Sequence, residues 1–230
     1  MAVRDLRRSG EIELVGRMPW SSNHTFLVQI TDGEQCTRAV YKPERGERPL
    51  WDFPSGLHRR EAAAAVLSDA LGWGIVPETI VRDGPLGEGS VQRFVEADFD
   101  QHYFTIYEDG THAGDLRAIC AFDVIANNTD RKSGHCLLGV DGRVYAIDNS
   151  LCFHVQPKLR TVIWEFGGEP VPSALLEDVA RLVDDPPAGL GALLDPDEVD
   201  AVRRRAERLV RSAVFPEARA GYRHYPWPLV

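Results

Sequence analysis

Two aspartates, Asp130 and Asp148, bracket a short apolar hairpin pattern in the middle of the chain. A helical pattern ends at Asn127-Asn128-Thr129, which hands the chain to Asp130-Arg131 on a predicted loop. The apolar runs 136–140 and 144–147 then flank Asp141-Gly142, a dipeptide suited to a tight hairpin turn. The second run delivers Asp148 directly after the β-formers Val144, Tyr145 and Ile147. Two carboxylates held at the mouth of one hairpin suit phosphoryl transfer. One orients the attacking group, and the other holds the magnesium that bridges the phosphates. A lysine is also needed on the phosphates, and only Lys42, Lys132 and Lys158 are available. Lys42 closes a predicted strand just before Pro43.

The flanking elements must position these groups. Residues 11–42 read as three strands, 11–15, 24–31 and 37–41, with Asp32-Gly33 as a hairpin turn. The small polar loop between the first two, Pro19-Trp20-Ser21-Ser22-Asn23, could fold over phosphates through backbone N–H groups and hydroxyls. Residues 44–57 are rich in Pro, Gly and charge and read as a loop. The Ala- and Leu-rich segment from His58 reads as a helix stopped by Gly72, with Glu61 in its first turns. Strands are expected at 74–81 and 89–95, and the backbone at Gln92, Phe94 and Val95 is placed to read an adenine ring. Residues 96–114 read as an irregular acidic and aromatic connection. Helical periodicity resumes at Asp115, with Leu116, Ile119, Cys120, Val124 and Ile125 facing the core. Two helices, 174–183 and 196–214, follow, and Asp195-Pro196 before Asp197-Glu198 marks the start of the second. Arg203-Arg204-Arg205 reads as a solvated face, and the aromatic tail is expected to pack over the larger lobe.

Composition narrows the partners. A net charge of −9 argues against a nucleic-acid ligand, whose affinity depends on cationic phosphate contacts, and against docking on an anionic membrane. No apolar run approaches the roughly 20 residues of a membrane span, and the N-terminus lacks the apolar core of a secretory signal. Cys36, Cys120, Cys136 and Cys152 are scattered, as expected of reduced thiols in a cytoplasmic protein.

Asn128-Thr129-Asp130-Arg131-Lys132-Ser133-Gly134, followed by Ala146-Ile147-Asp148-Asn149-Ser150-Leu151-Cys152-Phe153, resembles the catalytic core of the phosphatidylinositol 3-/4-kinase family. In particular it is similar to the type II phosphatidylinositol 4-kinases, whose loops read NTDRGxxN and AIDNGLAF. The likeness is tight over this stretch and extends loosely to AVYKP and the helix REAAAAVLSDALG. It implies an α+β, two-lobed protein-kinase-like fold, with a small antiparallel-sheet N-lobe at 1–95 and a mainly helical C-lobe at 96–230. It further implies that Lys42 binds the ATP phosphates with Glu61 as its partner. Asp130 becomes the catalytic aspartate and Asp148 the magnesium ligand, while the Pro19–Asn23 loop, with Ser21, Ser22 and Asn23, replaces a glycine-rich loop.

Two positions depart from that pattern. His135 stands where the family has an Asn metal ligand; magnesium prefers oxygen, so an imidazole there points to manganese, to a single metal or to impaired catalysis. Ser150 replaces a glycine and is expected to constrain its loop. The chain also lacks a cysteine-rich palmitoylation motif, so a soluble metabolite or a protein hydroxyl is as good an acceptor as a lipid. The reading is an ATP-dependent kinase using Mg2+ or Mn2+. Its alternatives are a pseudokinase acting as a nucleotide-binding module and an enzyme that transfers AMP to protein.

Overall fold

The computed structural model describes residues 6–19, 23–218 and 223–229. A short helix α1 (Leu6–Ser9) precedes strands β1 (Glu11–Arg17), β2 (Phe26–Asp32) and β3 (Gln35–Pro43). Helix α2 (Leu57–Ala70) leads on to β4 (Thr79–Gly84) and β5 (Gly87–Arg93). The five strands form one antiparallel sheet in the order β1-β2-β3-β5-β4. Strand alternation sets its two faces. Val28, Ile30, Ala39, Tyr41 and Val91 cluster on one of them. Lys42 directly follows Tyr41 in β3 and therefore projects from the other face. Its neighbour across the sheet is Ser90, preceded on β5 by Gly89 opposite Pro43. A Cβ at Gly89 would sit 2.5 Å from the Lys42 carbonyl oxygen, so a side chain there would push β5 away from the lysine strand.

Helix α2 is buried on most sides, from Leu57 through Ala62, Ala63, Ala64 and Ala65 to Leu67. Four consecutive alanines let neighbouring elements approach closely, and the helix joins the large core shared with the C-terminal half. It ends as expected, with Gly72 at φ 72° and Trp73 N donating to Ser68 O at 3.1 Å.

The C-terminal half begins with β6 (Ala97–Asp98), α3 (Tyr103–Asp109) and α4 (Ala113–Ala126). The hairpin β7 (Cys136–Gly139) and β8 (Val144–Ala146) completes a small sheet, β6-β7-β8. Helices α5 (Ser173–Asp184), α6 (Ala188–Gly191) and α7 (Pro196–Ser212) follow. Leu116, Ile119, Cys120 and Ile125 of α4 are buried as expected, and Val124 packs at the core's margin. The tail lies on this half: Thr161 N and Trp164 Nε1 donate to His224 O, and Ser133 N donates to Leu229 O at 2.8 Å. No helix among the described residues is long and apolar enough to cross a membrane.

Three local expectations are corrected. The strand expected from Gly74 starts at Thr79, and the segment before it instead accepts separate bonds, from Ala146 N to Ile75 O and from Arg93 N to Glu78 O, both at 2.8 Å. The connection 96–114 is not irregular throughout. It contains α3, whose His102 N donates to Thr105 Oγ1 and whose Tyr103 and Ile106 are buried one turn apart. Arg205 leaves the solvated face of α7: its Nε donates to Ile125 O at 2.6 Å, while Arg203 and Arg204 pair with Asp200.

Candidate active site

Lys42 reaches across from β3 to two carboxylates. Its Nζ lies 2.5 Å from Glu61 Oε1 on α2 and 2.9 Å from Asp148 Oδ1 after β8. Burial opposes the charge on Lys42, but Asp148 and Glu61 outweigh it and hold the ammonium above its ordinary range. Burial acts on Asp148 too; the Lys42 ammonium overcomes it and keeps that carboxylate well below the usual range. Asp148 takes φ 55°, a left-handed conformation rare for a residue with a side chain. Such strain costs on the order of 1–3 kcal/mol and persists where the surroundings over-determine it. Here the next residue supplies the restraint: Asn149 donates to Ala146 O at 3.1 Å and accepts from Arg131 Nη2 at 2.6 Å.

That arginine is the keystone of the loop carrying Asp130. Arg131 is fully buried. Its Nε and Nη2 grip both oxygens of Asp123 at 2.9–3.2 Å, and its Nη1 donates to Ile147 O at 2.7 Å. Asp123 also accepts from Asn128 Nδ2 and Thr161 Oγ1. Asn128 Oδ1 in turn accepts from Asp130 N at 2.9 Å, which fixes the backbone of the candidate base. Asp130 itself is pushed up to about 6, chiefly by burial, with Lys132 pulling it down and Asp148 raising it further. Lys132 Nζ stands 3.3 Å from Asp130 Oδ2. A carboxylate tuned toward neutrality is suited to take a proton at physiological pH.

His135 bridges the two aspartates. Its Nδ1 lies 2.9 Å from Asp130 O and its Nε2 lies 3.4 Å from Asp148 Oδ2. A carbonyl oxygen can only accept, so Nδ1 carries the proton; Lys132 N approaches the same nitrogen only at 3.4 Å. Burial, with Asp148 opposing and Arg131 adding to it, lowers His135 to about 4, so the ring is neutral at pH 7. Nε2 then turns a lone pair toward a carboxylate oxygen. A cation shared by the two donors relieves that opposition, and an imidazole–carboxylate pair suits manganese better than magnesium.

The remaining expected residues fall into place unevenly. Ser21 and Ser22 lie outside the described residues. Asn23 Oδ1 accepts from Arg48 N at 3.0 Å, so this side chain holds the 44–48 segment. The Gln92 side chain donates to Thr79 Oγ1 at 2.9 Å, leaving its backbone in β5. Phe94 lies under the Arg38 guanidinium, 4.7 Å from its carbon. Val95 is buried with Leu137 and Tyr145 in a small apolar cluster, with the partly buried Ala97 and Ile147, the residue before Asp148, packed against it. Ser150 does not strain its loop, because the left-handed residues here are Asn127, Asp148 and Phe153. The glycine position of the family motif needs no glycine in this backbone.

Sequence reasoning missed the Asp123–Arg131 pair and the tie between Arg60 on α2 and Glu198 on α7, made through Nη2 and Oε1 at 2.5 Å. The available signal was an acid, Asp123, on an otherwise apolar helix face.

No family model matches the chain. Its sequence is 40% identical over 270 residues to Protein Rv2133c of Mycobacterium tuberculosis, covering 99% of this chain and 97% of that protein. The chain belongs to the Rv2133c family. Solved structures add the fold. The Golgi casein kinase with Mn/ADP bound superposes with a TM-score of 0.55 at 15% identity, over 96% of this chain and 78% of that one. The Helicobacter pylori proinflammatory kinase CtkA gives 0.51 at 9%, over 90% and 93% of the two chains. Hydra Fam20 gives 0.53 at 18%, over 91% and 86%. This member of the Rv2133c family therefore has a two-lobed, α+β, protein-kinase-like fold.

Proposed function

We propose that the protein is an ATP-dependent phosphotransferase that moves the γ-phosphoryl group of ATP to a hydroxyl acceptor. The observation that carries this reading is the convergence of Lys42, Glu61 and Asp148 from three separate elements, with Asp130 on the neighbouring loop. Residues 1–95 act as the nucleotide-binding lobe and 96–230 as the lobe that carries the catalytic loop. The adenine lies at the end of the expected Gln92–Val95 stretch, by the backbone of Val95, because Gln92 is paired on both sides within the sheet and Arg93 N and Phe94 N already donate to Glu78 O and Arg38 O. Lys42, held by Glu61, binds the phosphates. Asp130 orients the acceptor hydroxyl; the hydroxyl oxygen bonds to the γ-phosphorus, the bond from that phosphorus to the β,γ-bridging oxygen breaks, ADP leaves, and the hydroxyl proton passes to Asp130. Lys132 faces the same carboxylate and offsets the charge that accumulates on the reacting group.

A divalent cation bound by Asp148 and His135 would neutralise phosphate charge. The donor set supports Mn2+ over Mg2+, and the bound manganese belongs to the Golgi casein kinase structure. The motif likeness to type II phosphatidylinositol 4-kinases supports the roles of Asp130 and Asp148 without naming a lipid acceptor. A cytoplasmic setting is part of the reading, supported by four cysteines that carry free thiols.

Incubation with γ-labelled and α-labelled ATP tests the reaction. Phosphoryl transfer releases labelled phosphate or labels an acceptor from the γ-label alone. Transfer of the α-label would replace it with AMP transfer, and turnover of neither label would leave a nucleotide-binding module.

A further inference from the structure

Resting on that reading, the acceptor can be narrowed. A groove of about 640 Å³ opens between residues 51–54, which precede α2, and residues 154–160, which follow Asp148. That volume falls in the range of small-molecule sites. Its second wall is bonded directly to the catalytic loop. Asn127 Nδ2 donates to His154 O and Gln156 O, Lys158 N donates to Asn127 Oδ1, Arg160 N donates to Asn128 O at 2.8 Å, and Arg131 N donates to Arg160 O at 3.1 Å. Arg160 is thus anchored to residues on both sides of Asp130.

The groove is cationic although the chain as a whole is acidic. Lys158 pairs with Asp52, through Nζ to Oδ2 at 3.1 Å. The Arg160 side chain, by contrast, has no hydrogen bond or ion pair among the described residues, and its Nε is buried without a partner. A buried guanidinium N–H without an acceptor is costly, and a bound oxyanion satisfies it. His154 reports the same field: burial, then Lys158 and Arg60, hold its imidazole below the ordinary range. Phe53 lines the apolar side, with the His154 ring at 5.2 Å, and Trp51 stands 96% exposed at the rim. The fold gives no reason for an indole held in water there.

We propose that this groove is the acceptor site and that Arg160 reads an oxyanion, a phosphate or a carboxylate, on a small hydroxylated molecule. The hydroxyl to be phosphorylated then faces Asp130, while Trp51 and Phe53 cover the carbon skeleton.

The test has a binding arm and a turnover arm. In the first, inorganic phosphate and glycerol 3-phosphate are titrated by calorimetry into wild type, Arg160→Gln, Arg160→Lys and Lys42→Ala. Binding should survive Lys42→Ala, weaken about tenfold or more in Arg160→Gln, and return in part in Arg160→Lys. Binding lost in Lys42→Ala but kept in Arg160→Gln would put the anion on the nucleotide site and overturn the proposal, as would no binding to wild type. In the second arm, glycerol 3-phosphate, glucose 6-phosphate and glycerate are compared with glycerol and glucose as acceptors from γ-labelled ATP. Preference for the anionic compounds supports the assignment. Equal use of the uncharged ones, or transfer only to a protein or to phosphoinositide vesicles, refutes it. ATP-dependent stabilisation of each variant serves as the control for folding and for the kinase reading. If wild type shows none, that reading fails, while anion binding at Arg160 still stands or falls by itself.

Discussion

Replacing Lys132 by Gln should move the pH dependence of catalysis in a stated direction by a calculable amount. In the proposed mechanism Asp130 acts as a base only when ionised, and burial places it at about 6. About nine-tenths of it is therefore ionised at pH 7 and about one-tenth at pH 5, so the rate should fall roughly tenfold per unit below pH 6. Lys132 Nζ, 3.3 Å from Asp130 Oδ2, is the main group pulling that value down. Even at the dielectric constant of water, two unit charges at this separation interact by about 1.3 kcal/mol, which is about one pKa unit. Both side chains are more than two-thirds buried, so this is a floor. Removing the ammonium should shift the acid limb upward by about one unit or more. Hydrolysis of γ-labelled ATP, with water as acceptor, provides the assay over pH 4.5–8.5. An acid limb that stays in place, or moves to lower pH, would refute the assignment of Asp130 as the titrating base and of Lys132 as its tuning charge.

Other perturbations follow from the same network. Asp130→Asn should abolish turnover yet stabilise the fold at pH 7. The native value is raised above the unfolded one of 3.8, so ionisation costs stability as pH rises through that window, by up to about 3 kcal/mol. Denaturant unfolding at pH 7 and pH 3.5 should show the gain at the higher pH alone. Asp123→Leu leaves Arg131 buried without its carboxylate and should destabilise the protein by about 3–5 kcal/mol in urea titrations. His135→Asn replaces the imidazole with an oxygen donor and should shift activity from manganese toward magnesium, read as the ratio of rates with the two ions.

The stretch that carries Asp130 and Asp148 was legible because turn chemistry and strand propensity act locally. Asn127-Asn128-Thr129 had to end a helix, Asp141-Gly142 had to turn, and Asp148 had to emerge from a strand. The meeting of Lys42 with Glu61 was readable only through the family likeness, since nothing local distinguishes Glu61 from a solvated acid near a helix start. Arg131, Arg60 and Arg205 resisted reading for the opposite reason. An arginine in sequence looks solvated, and its burial depends on distant partners such as Asp123, Glu198 and the carbonyl of Ile125. Helix α3 was hidden by its aromatic and acidic composition, although Tyr103 and Ile106 already stood one turn apart before the stop at Gly110. Ser150 shows the limit of motif reasoning, because the backbone places its left-handed turn at Asp148.

The proposed phosphotransferase needs a metal-dependent nucleotide site built on Lys42 and Asp148. The most direct measurement is thermal stability with ATP and either Mn2+ or Mg2+, for wild type and Asp148→Ala. At 100 times its dissociation constant, a ligand specific to the native state adds about 2.7 kcal/mol. A stabilisation that requires the metal, is larger with Mn2+ and vanishes in Asp148→Ala is the predicted result. A melting temperature unmoved by ATP with either metal, or moved equally in the variant, would contradict it.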